Sequence, residues 1–187
     1  EIRVMSFDIE PGNEQYEEER FRRMREITRR FLDAGITPVH ENCMNYGGMS
    51  YKHALRLLEN VPGLKWVFDT GNPIFNNDRS KEEPYPKQNA WAFYWQMKPY
   101  IEHIHIKDAY WDILKGDAVY TFPGEGKGYV KEILSDLKAN GYDKGISIEP
   151  HIAVVFHDEN VKASEEKQYR SYVEYGQKLN QIIKELK

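Results

Sequence analysis

The 187-residue chain is 40% hydrophobic, 30% charged and 13% aromatic, which fits one globular domain with a sizeable core. A lone cysteine, Cys43, excludes a disulfide framework and a cysteine-built zinc site, and no apolar run approaches the ~18 residues of a membrane span. With 26 basic against 30 acidic residues the net charge is -4, which argues against a nucleic-acid-binding face; the expectation is a cytoplasmic protein whose partners include neither nucleic acid nor membrane, with a homo-oligomeric state left open.

Ile2 to Phe7 reads as a strand, and it starts with no lead-in and no initiator Met, so a segment is expected upstream. Pro11-Gly12-Asn13 punctuates a loop. From Glu14 to Asp33 the residues Tyr16, Phe21, Met24, Ile27, Thr28 and Phe31 recur near helical spacing, with the charged run from Glu17 to Arg30 read as a solvated face. Gly35 stops this helix. Ile36 to Glu41 reads as a second strand. Ser50 is placed to cap a helix carrying Tyr51, Ala54, Leu55 and Leu58, ended by Pro62-Gly63. Leu64 to Phe68 is a third strand, followed by a polar loop from about Gly71 to Pro86 and a helix over Lys87–Lys98. Ile101 to Ile106 is a fourth strand. A long loop, Asp108 to Gly126, precedes a helix with Val130, Ile133, Leu134 and Leu137, stopped by Asn140-Gly141. Gly145 to Ile148 is a fifth strand, and a last helix begins near Ser164.

Strand and helix thus alternate five times over 187 residues. Crossovers of that length imply parallel strands with helices outside, in a doubly wound open sheet or a (β/α)8 barrel. The doubly wound fold usually carries a glycine-rich phosphate turn directly after a strand. Gly124-Glu125-Gly126-Lys127-Gly128 does not follow a strand closely and reads as a loop and helix start. A full barrel needs about 250 residues and eight strands, so five units would form only part of one.

Polar residues collect at the C-terminal ends of the strands, the edge where active sites of parallel α/β proteins lie. The second strand ends in His40-Glu41-Asn42, the third in Asp69-Thr70-Gly71-Asn72, the fifth in Glu149-Pro150-His151. The fourth reads His103-Ile104-His105-Ile106-Lys107-Asp108. Period-two alternation puts the apolar residues of each strand on one face and Glu41, Asp69, His105 and Glu149 on the other, where they can converge. Three carboxylates and an imidazole gathered together call for a neutralising divalent cation, and oxygen-rich ligation with one His suits Mn²⁺, Mg²⁺ or Co²⁺. The competing reading makes each of them a capping or salt-bridging residue.

The neighbouring polar residues keep two readings each. His103, one inward position below His105, is a buried hydrogen-bonded histidine or a partner of the site. Lys107 holds a substrate oxygen or pairs with Asp108. Asn72 faces substrate or stabilises its turn. His151 reads as a loop residue, His53 and His157 as surface residues. Cys43 lacks a partner base and is not taken as a nucleophile. Tyr85, Trp91, Tyr94, Trp95 and Trp111 read as core or rim packing.

These motifs, His-Glu-Asn at 40–42, Phe-Asp-Thr-Gly-Asn at 68–72, His-Ile-His-Ile-Lys-Asp at 103–108, Pro-Gly-Glu-Gly at 123–126 and Ile-Glu-Pro at 148–150, resemble the xylose isomerase-like TIM-barrel superfamily. The resemblance is to its sugar phosphate isomerase/epimerase branch, which includes ketose 3-epimerases and inosose dehydratase, and it covers nearly the whole chain. It implies an α/β fold, the parallel (β/α)8 TIM barrel, with this chain as one domain holding strands four to eight. About three N-terminal β/α units, on the order of 100 residues, would then precede it. It also implies one divalent metal held by Glu41, Asp69, His105 and Glu149, with Mn²⁺ first and Co²⁺, Mg²⁺ or Zn²⁺ as alternatives.

The function so implied is isomerisation or epimerisation of a small sugar or polyol by proton abstraction through an enediolate. Glu41 and Glu149 would be acid and base on opposite substrate faces, while Asn72, His103 and Lys107 would position substrate. The alternatives are a dehydratase of a cyclic polyol or keto-inositol and a non-catalytic sugar-binding barrel. Asn72 stands three residues after Asp69, where the endonuclease branch has His, which disfavours a trinuclear zinc nuclease. No Arg follows His105 between Asp108 and Leu114, unlike in many ketose 3-epimerases.

Overall fold

In chain order the elements are β1 (Ile2–Arg3), α1 (Glu17–Asp33), β2 (Pro38–Glu41), α2 (Tyr51–Asn60), β3 (Lys65–Asp69), α3 (Asn72–Phe75), α4 (Ala90–Met97), β4 (Ile101–Ile106), β5 (Asp108–Asp112), β6 (Asp117–Thr121), α5 (Val130–Ala139), β7 (Gly145–Ile148), β8 (Val154–Val155), β9 (Asp158–Lys162) and α6 (Glu165–Glu185). This computed structural model describes the backbone of residues 1–152, 154, 155 and 158–186, and the side chains of 1–152 and 163–186. His157 lies outside the described residues.

Five strands form one parallel sheet in the order β1-β2-β3-β4-β7. That is the expected neighbour order, and it excludes the strand jump of a doubly wound sheet. The ladders put Val39 beside Lys65, Asp69 beside His105, and His105 beside Ser147. Side-chain alternation does the rest. Trp66, Phe68, Ile104 and Ile106 point outward and are fully buried against Leu57, Phe93, Tyr94, Met97, Ile133 and Leu134 of the helices. Each of these large apolar side chains contributes on the order of 1.5–3 kcal/mol by leaving water. The opposite face carries Val67, Asp69, His105 and Ser147.

The sheet curls toward that polar face. Three strand spacings of ~4.8 Å would hold β2 and β7 roughly 14 Å apart in a flat sheet, yet ligand atoms of Glu41 and Glu149 lie within 4.8 Å of each other. The result is a partial barrel with two unpaired edges in the described residues. Ile2 on β1 is 36% exposed and Ile146 on β7 is 37% exposed, which is how apolar residues behave on open sheet edges.

Local chemistry sets the helix ends. Ser50 and Ser164 accept the N–H groups of His53 and Lys167, as N-caps do, and Gly35 takes a positive φ of 72° just after α1. Four readings of the sequence need correction. The first strand is ordered as a ladder only at Ile2–Arg3, extended by Val4 N–H to Val39 O at 2.8 Å; beyond it the Ser6 N–H donates to the His40 ring instead of to the β2 backbone. The polar loop after β3 contains the single turn α3, with Pro73 in its first turn. Arg20 is no part of a solvated face: it is fully buried, its guanidinium 3.8 Å above the Phe7 ring and donating to the carbonyls of Phe7 and Asp8. Finally, the segment read as a loop after β4 is the antiparallel hairpin β5–β6. Its turn is held by Asp112 Oδ1, which accepts from the N–H groups of Leu114 and Lys115, and by Gly116 at a positive φ of 68°.

Candidate metal and active site

The ends of β2, β3, β4 and β7 bring together the four residues singled out from the sequence. One ligand atom from each of Glu41, Asp69, His105 and Glu149 lies within 4.8 Å of the other three. Glu41 and Asp69 are buried and His105 and Glu149 half-buried, and Glu41 and Glu149 line a cavity of about 170 Å³. Met5, Met44 and Phe75 line its apolar side, and Asn72 and Lys107 its polar side. A larger cavity, about 660 Å³, lies between the start of α1 and the Arg79–Tyr85 segment, and none of the four residues lines it. The smaller cavity is the one that meets the chemistry.

Each carboxylate is held in place by neighbours. Glu41 Oε1 accepts from Asn72 Nδ2 at 3.0 Å, and Oε2 accepts from Arg3 Nη1. Asp69 Oδ1 accepts the backbone N–H groups of Gly71 and Asn72 at 2.8 and 2.7 Å, leaving Oδ2 turned toward the cluster. Asn42 grips the Asp69 backbone, donating to its carbonyl and accepting its N–H. Glu149 Oε2 stands 2.9 Å from His105 Nδ1, and Oε1 stands 2.8 Å from Lys107 Nζ and 3.4 Å from His151 Nε2.

The electrostatics follow from this crowding. Burial pushes the Asp69 carboxyl up to about 6 against the pull of Lys107, with Glu149 and Glu41 adding to the push. Burial would also lift Glu149, but the His105 and His151 rings beside it and the Lys107 ammonium hold it far below the ordinary carboxylate range. Burial disfavours the His105 cation, yet Glu149 and Glu41 outweigh it and raise the imidazole to about 9.

The remaining predicted residues fall as follows. His103 sits one inward position below His105, its ring edge-on to that of His105 at 5.4 Å and its Nε2 2.9 Å from Ser147 Oγ. Lys107 does not pair with Asp108; it faces Asp69, Glu149 and Asn72. His151, read as a plain loop residue, is buried against the Tyr120 ring at 5.0 Å and near Glu149. His53 is half-buried rather than on the surface, edge-on to Tyr46 at 5.2 Å. Burial pushes the Cys43 thiol up to about 12, so it is no thiolate nucleophile. Of the aromatics, Tyr94 is core, Trp95 is 55% exposed and Trp111 lies under Lys87 Nζ at 3.7 Å.

Two contributors escaped the sequence reading. Arg3 pairs with Val39 in the ladder and therefore shares the inward face with Glu41; the alternation of Arg3 with Ile2 and Val4 carries that signal. Asp108 is the second. Its carboxylate accepts four backbone N–H groups, from Ala109, Gly124, Gly126 and Gly128. The glycine-rich loop therefore spends its amides on an internal carboxylate. A Cβ on Gly126 would come within 2.3 Å of Asp108 Oδ1, so only glycine fits there.

The donor set can be tested against a metal. Asp69 Oδ2 and His105 Nδ1 are buried polar atoms aimed at the cluster, in ion-pair range of neighbours but outside hydrogen-bond geometry. Three carboxylates and one imidazole on four rigid strand ends fit a divalent first-row cation or Mg²⁺.

The model of the xylose isomerase-like TIM-barrel family matches residues 5–178. The chain belongs to this family. No curated protein matches it. Among solved structures, a xylose isomerase domain protein from Planctomyces limnophilus is similar at 19% identity and TM-score 0.66, over 97% of this chain and 58% of that one. A xylose isomerase-like TIM-barrel protein from Mycobacterium smegmatis, in complex with magnesium, gives 17% identity and TM-score 0.62, over 96% and 55%. The probable 3-DHS dehydratase AsbF of Bacillus anthracis gives 20% and 0.60, over 79% and 56%. A D-allulose 3-epimerase from Methylomonas sp. shares the fold at TM-score 0.52 and 14% identity, over 88% of this chain and 51% of that one. The chain thus spans a little over half the length of these family structures, and among its described residues no helix is long and apolar enough to cross a membrane.

Proposed function

We propose that the protein is a divalent-metal-dependent isomerase or epimerase of a small sugar or polyol. The observation that carries this reading is the convergence of Glu41, Asp69, His105 and Glu149 on one point at the C-terminal edge of the sheet. A bound Mn²⁺, or Co²⁺, Mg²⁺ or Zn²⁺ in its place, would bind adjacent substrate oxygens and stabilise the negative charge that develops there.

The chain's own residues carry the proton. Glu149 would take it from the substrate carbon with a carboxylate oxygen, and Glu41, across the cluster, would take up a proton from water and pass it to the opposite face of that carbon. Arg3 and Asn72 hold Glu41 in register for that task. Asn72 and Lys107 border the cavity, but their polar ends are turned to Glu41, Asp69 and Glu149, so they would set the positions of those carboxylates, with His103 supporting His105 from below. Met5, Met44 and Phe75 would give the carbon skeleton of the substrate an apolar wall.

A second reading, dehydration of a cyclic polyol or keto-inositol, uses the same proton abstraction followed by loss of water. It is supported by the fold shared with a probable dehydratase, and by His151, which lines the cavity beside Glu149 and would be the group to protonate a leaving hydroxyl. Elemental analysis combined with a screen of ketoses, aldoses and inosose-type polyols separates the readings. Interconversion of epimers supports the first, an enone or diketone product the second. Binding without turnover would reduce the protein to a sugar-binding barrel.

A further inference from the structure

A residue expected to meet substrate should have its charged end open to the cavity, but only 3% of the Lys107 side chain is exposed. Its ammonium lies 3.1 Å from Asp69 Oδ2 and 2.8 Å from Glu149 Oε1, and donates to Asn72 Oδ1 at 2.9 Å. The backbone beneath it is fixed from both sides by Thr70, whose hydroxyl accepts from Lys107 N–H at 3.1 Å and donates to Lys107 O at 2.6 Å. The stem lies against Gly71, where a Cβ would come within 2.6 Å of Lys107 Cγ. The sequence therefore delivers one ammonium to two of the four groups assigned to the metal.

We propose that Lys107 is an internal competitor of the metal ion. Its ammonium bridges Asp69 and Glu149 in the metal-free protein and gives up at least one of them when a divalent cation enters. The inference rests on the metal-dependent reading of the site. Its physical basis is Coulombic. Three carboxylates this close repel one another unless a cation lies among them. Arg3 lies against Glu41 and His105 against Glu149, and Lys107 supplies, on a tether, the cation that meets both Asp69 and Glu149, and so helps keep the ligands assembled before the metal arrives. The same charge then repels an incoming dication and occupies lone pairs that it needs. Asn72 Oδ1 remains as a partner on which the displaced ammonium can rest. The alternative is that Lys107 merely orients ligand carboxylates from behind, as outer partners of metal sites do. The two differ in sign: loss of a competitor tightens metal binding, and loss of an orienting partner weakens it.

The experiment is Mn²⁺ titration of the metal-free protein by calorimetry and by electron paramagnetic resonance, with thermal unfolding alongside. Lys107→Met should bind Mn²⁺ at least tenfold more tightly than the native protein. Its metal-free form should melt at lower temperature, and Mn²⁺ should restore the difference. Lys107→Arg keeps the charge and should stay near native affinity. If Lys107→Met does not fold without metal, Lys107→Gln carries the same expectation. Unchanged or weaker Mn²⁺ binding by the neutral variants, with native binding intact, overturns the competitor role and leaves the metal site standing. If the native protein binds no Mn²⁺, Co²⁺, Mg²⁺ or Zn²⁺, the metal reading falls and the competitor falls with it.

Discussion

His105 Nδ1 and Glu149 Oε2 face each other at 2.9 Å across the β4–β7 ladder, although the two residues are separated by a hairpin and a helix in the chain. The ladder pairs His105 with Ser147, and Glu149 follows two residues later on the same face. This pairing fixes the geometry of the proposed base. Glu149→Gln keeps the size of the side chain and removes its charge and its ability to take a proton. Turnover should fall by ~10²-fold or more while sugar still binds, as steady-state kinetics and substrate titration would report. Full turnover by this variant would remove Glu149 from the proton-transfer role.

Metal removal should abolish turnover. Treatment with a chelator followed by desalting is expected to leave inactive, folded protein, and Mn²⁺ or Co²⁺ should restore activity. Circular dichroism separates this outcome from unfolding. Full activity in protein shown metal-free by elemental analysis contradicts the assignment of Glu41, Asp69, His105 and Glu149 as ligands.

Asp108 should matter for stability. Its Oδ2 accepts from Gly124 and Gly126, and its Oδ1 from Ala109 and Gly128. Asp108→Asn replaces one acceptor oxygen with a donor, which strands N–H groups around the buried side chain. The expected cost is roughly 2–4 kcal/mol, read as a lower denaturation midpoint in urea. A loss below about 0.5 kcal/mol would mean that the loop re-forms around water.

A pH effect is expected at His53, away from the cluster. Burial lowers its pKa from the ordinary 6.5; Glu17 and Asp78 oppose that shift, and Arg79 and Arg56 reinforce it. The unfolded chain therefore takes up this proton before the folded one does. The contribution of His53 to stability is complete above pH 6.5 and is lost as the pH falls through the lower folded-state value. His53→Gln should flatten the slope of unfolding free energy against pH in that window. An NMR titration midpoint at or above 6.5 would reverse the sign.

Much of the site was legible because strands have a period of two. Ile104 and Ile106 against His103 and His105, and Trp66 and Phe68 against Val67 and Asp69, distinguish inward from outward in the sequence itself. Chain order did the same for the sheet, since each parallel strand pairs with the next one through its helix. Partners distant in sequence were not legible. Nothing near Lys107 names Asp69 and Glu149 over Asp108 as its counter-ions; the choice depends on sheet curvature. The hairpin was hidden for a different reason. Tyr110-Trp111 and Val119-Tyr120-Thr121 are β-forming, but Ile113 and Leu114 at the turn, 85% and 98% exposed, break the usual polar signature of a loop tip.

The hairpin β5–β6 enters the chain between two strands that pair directly with each other. Its length therefore has no influence on the register of His105 against Ser147, or on the height at which Glu149 emerges. Yet it delivers Tyr120 against His151 at the rim of the site. A hairpin of another length exchanged between Ala109 and Tyr120, with Asp108 and its four N–H donors kept, should leave the four convergent groups where they are. The ladders thus set the four convergent groups, while the hairpin shapes the rim beside His151.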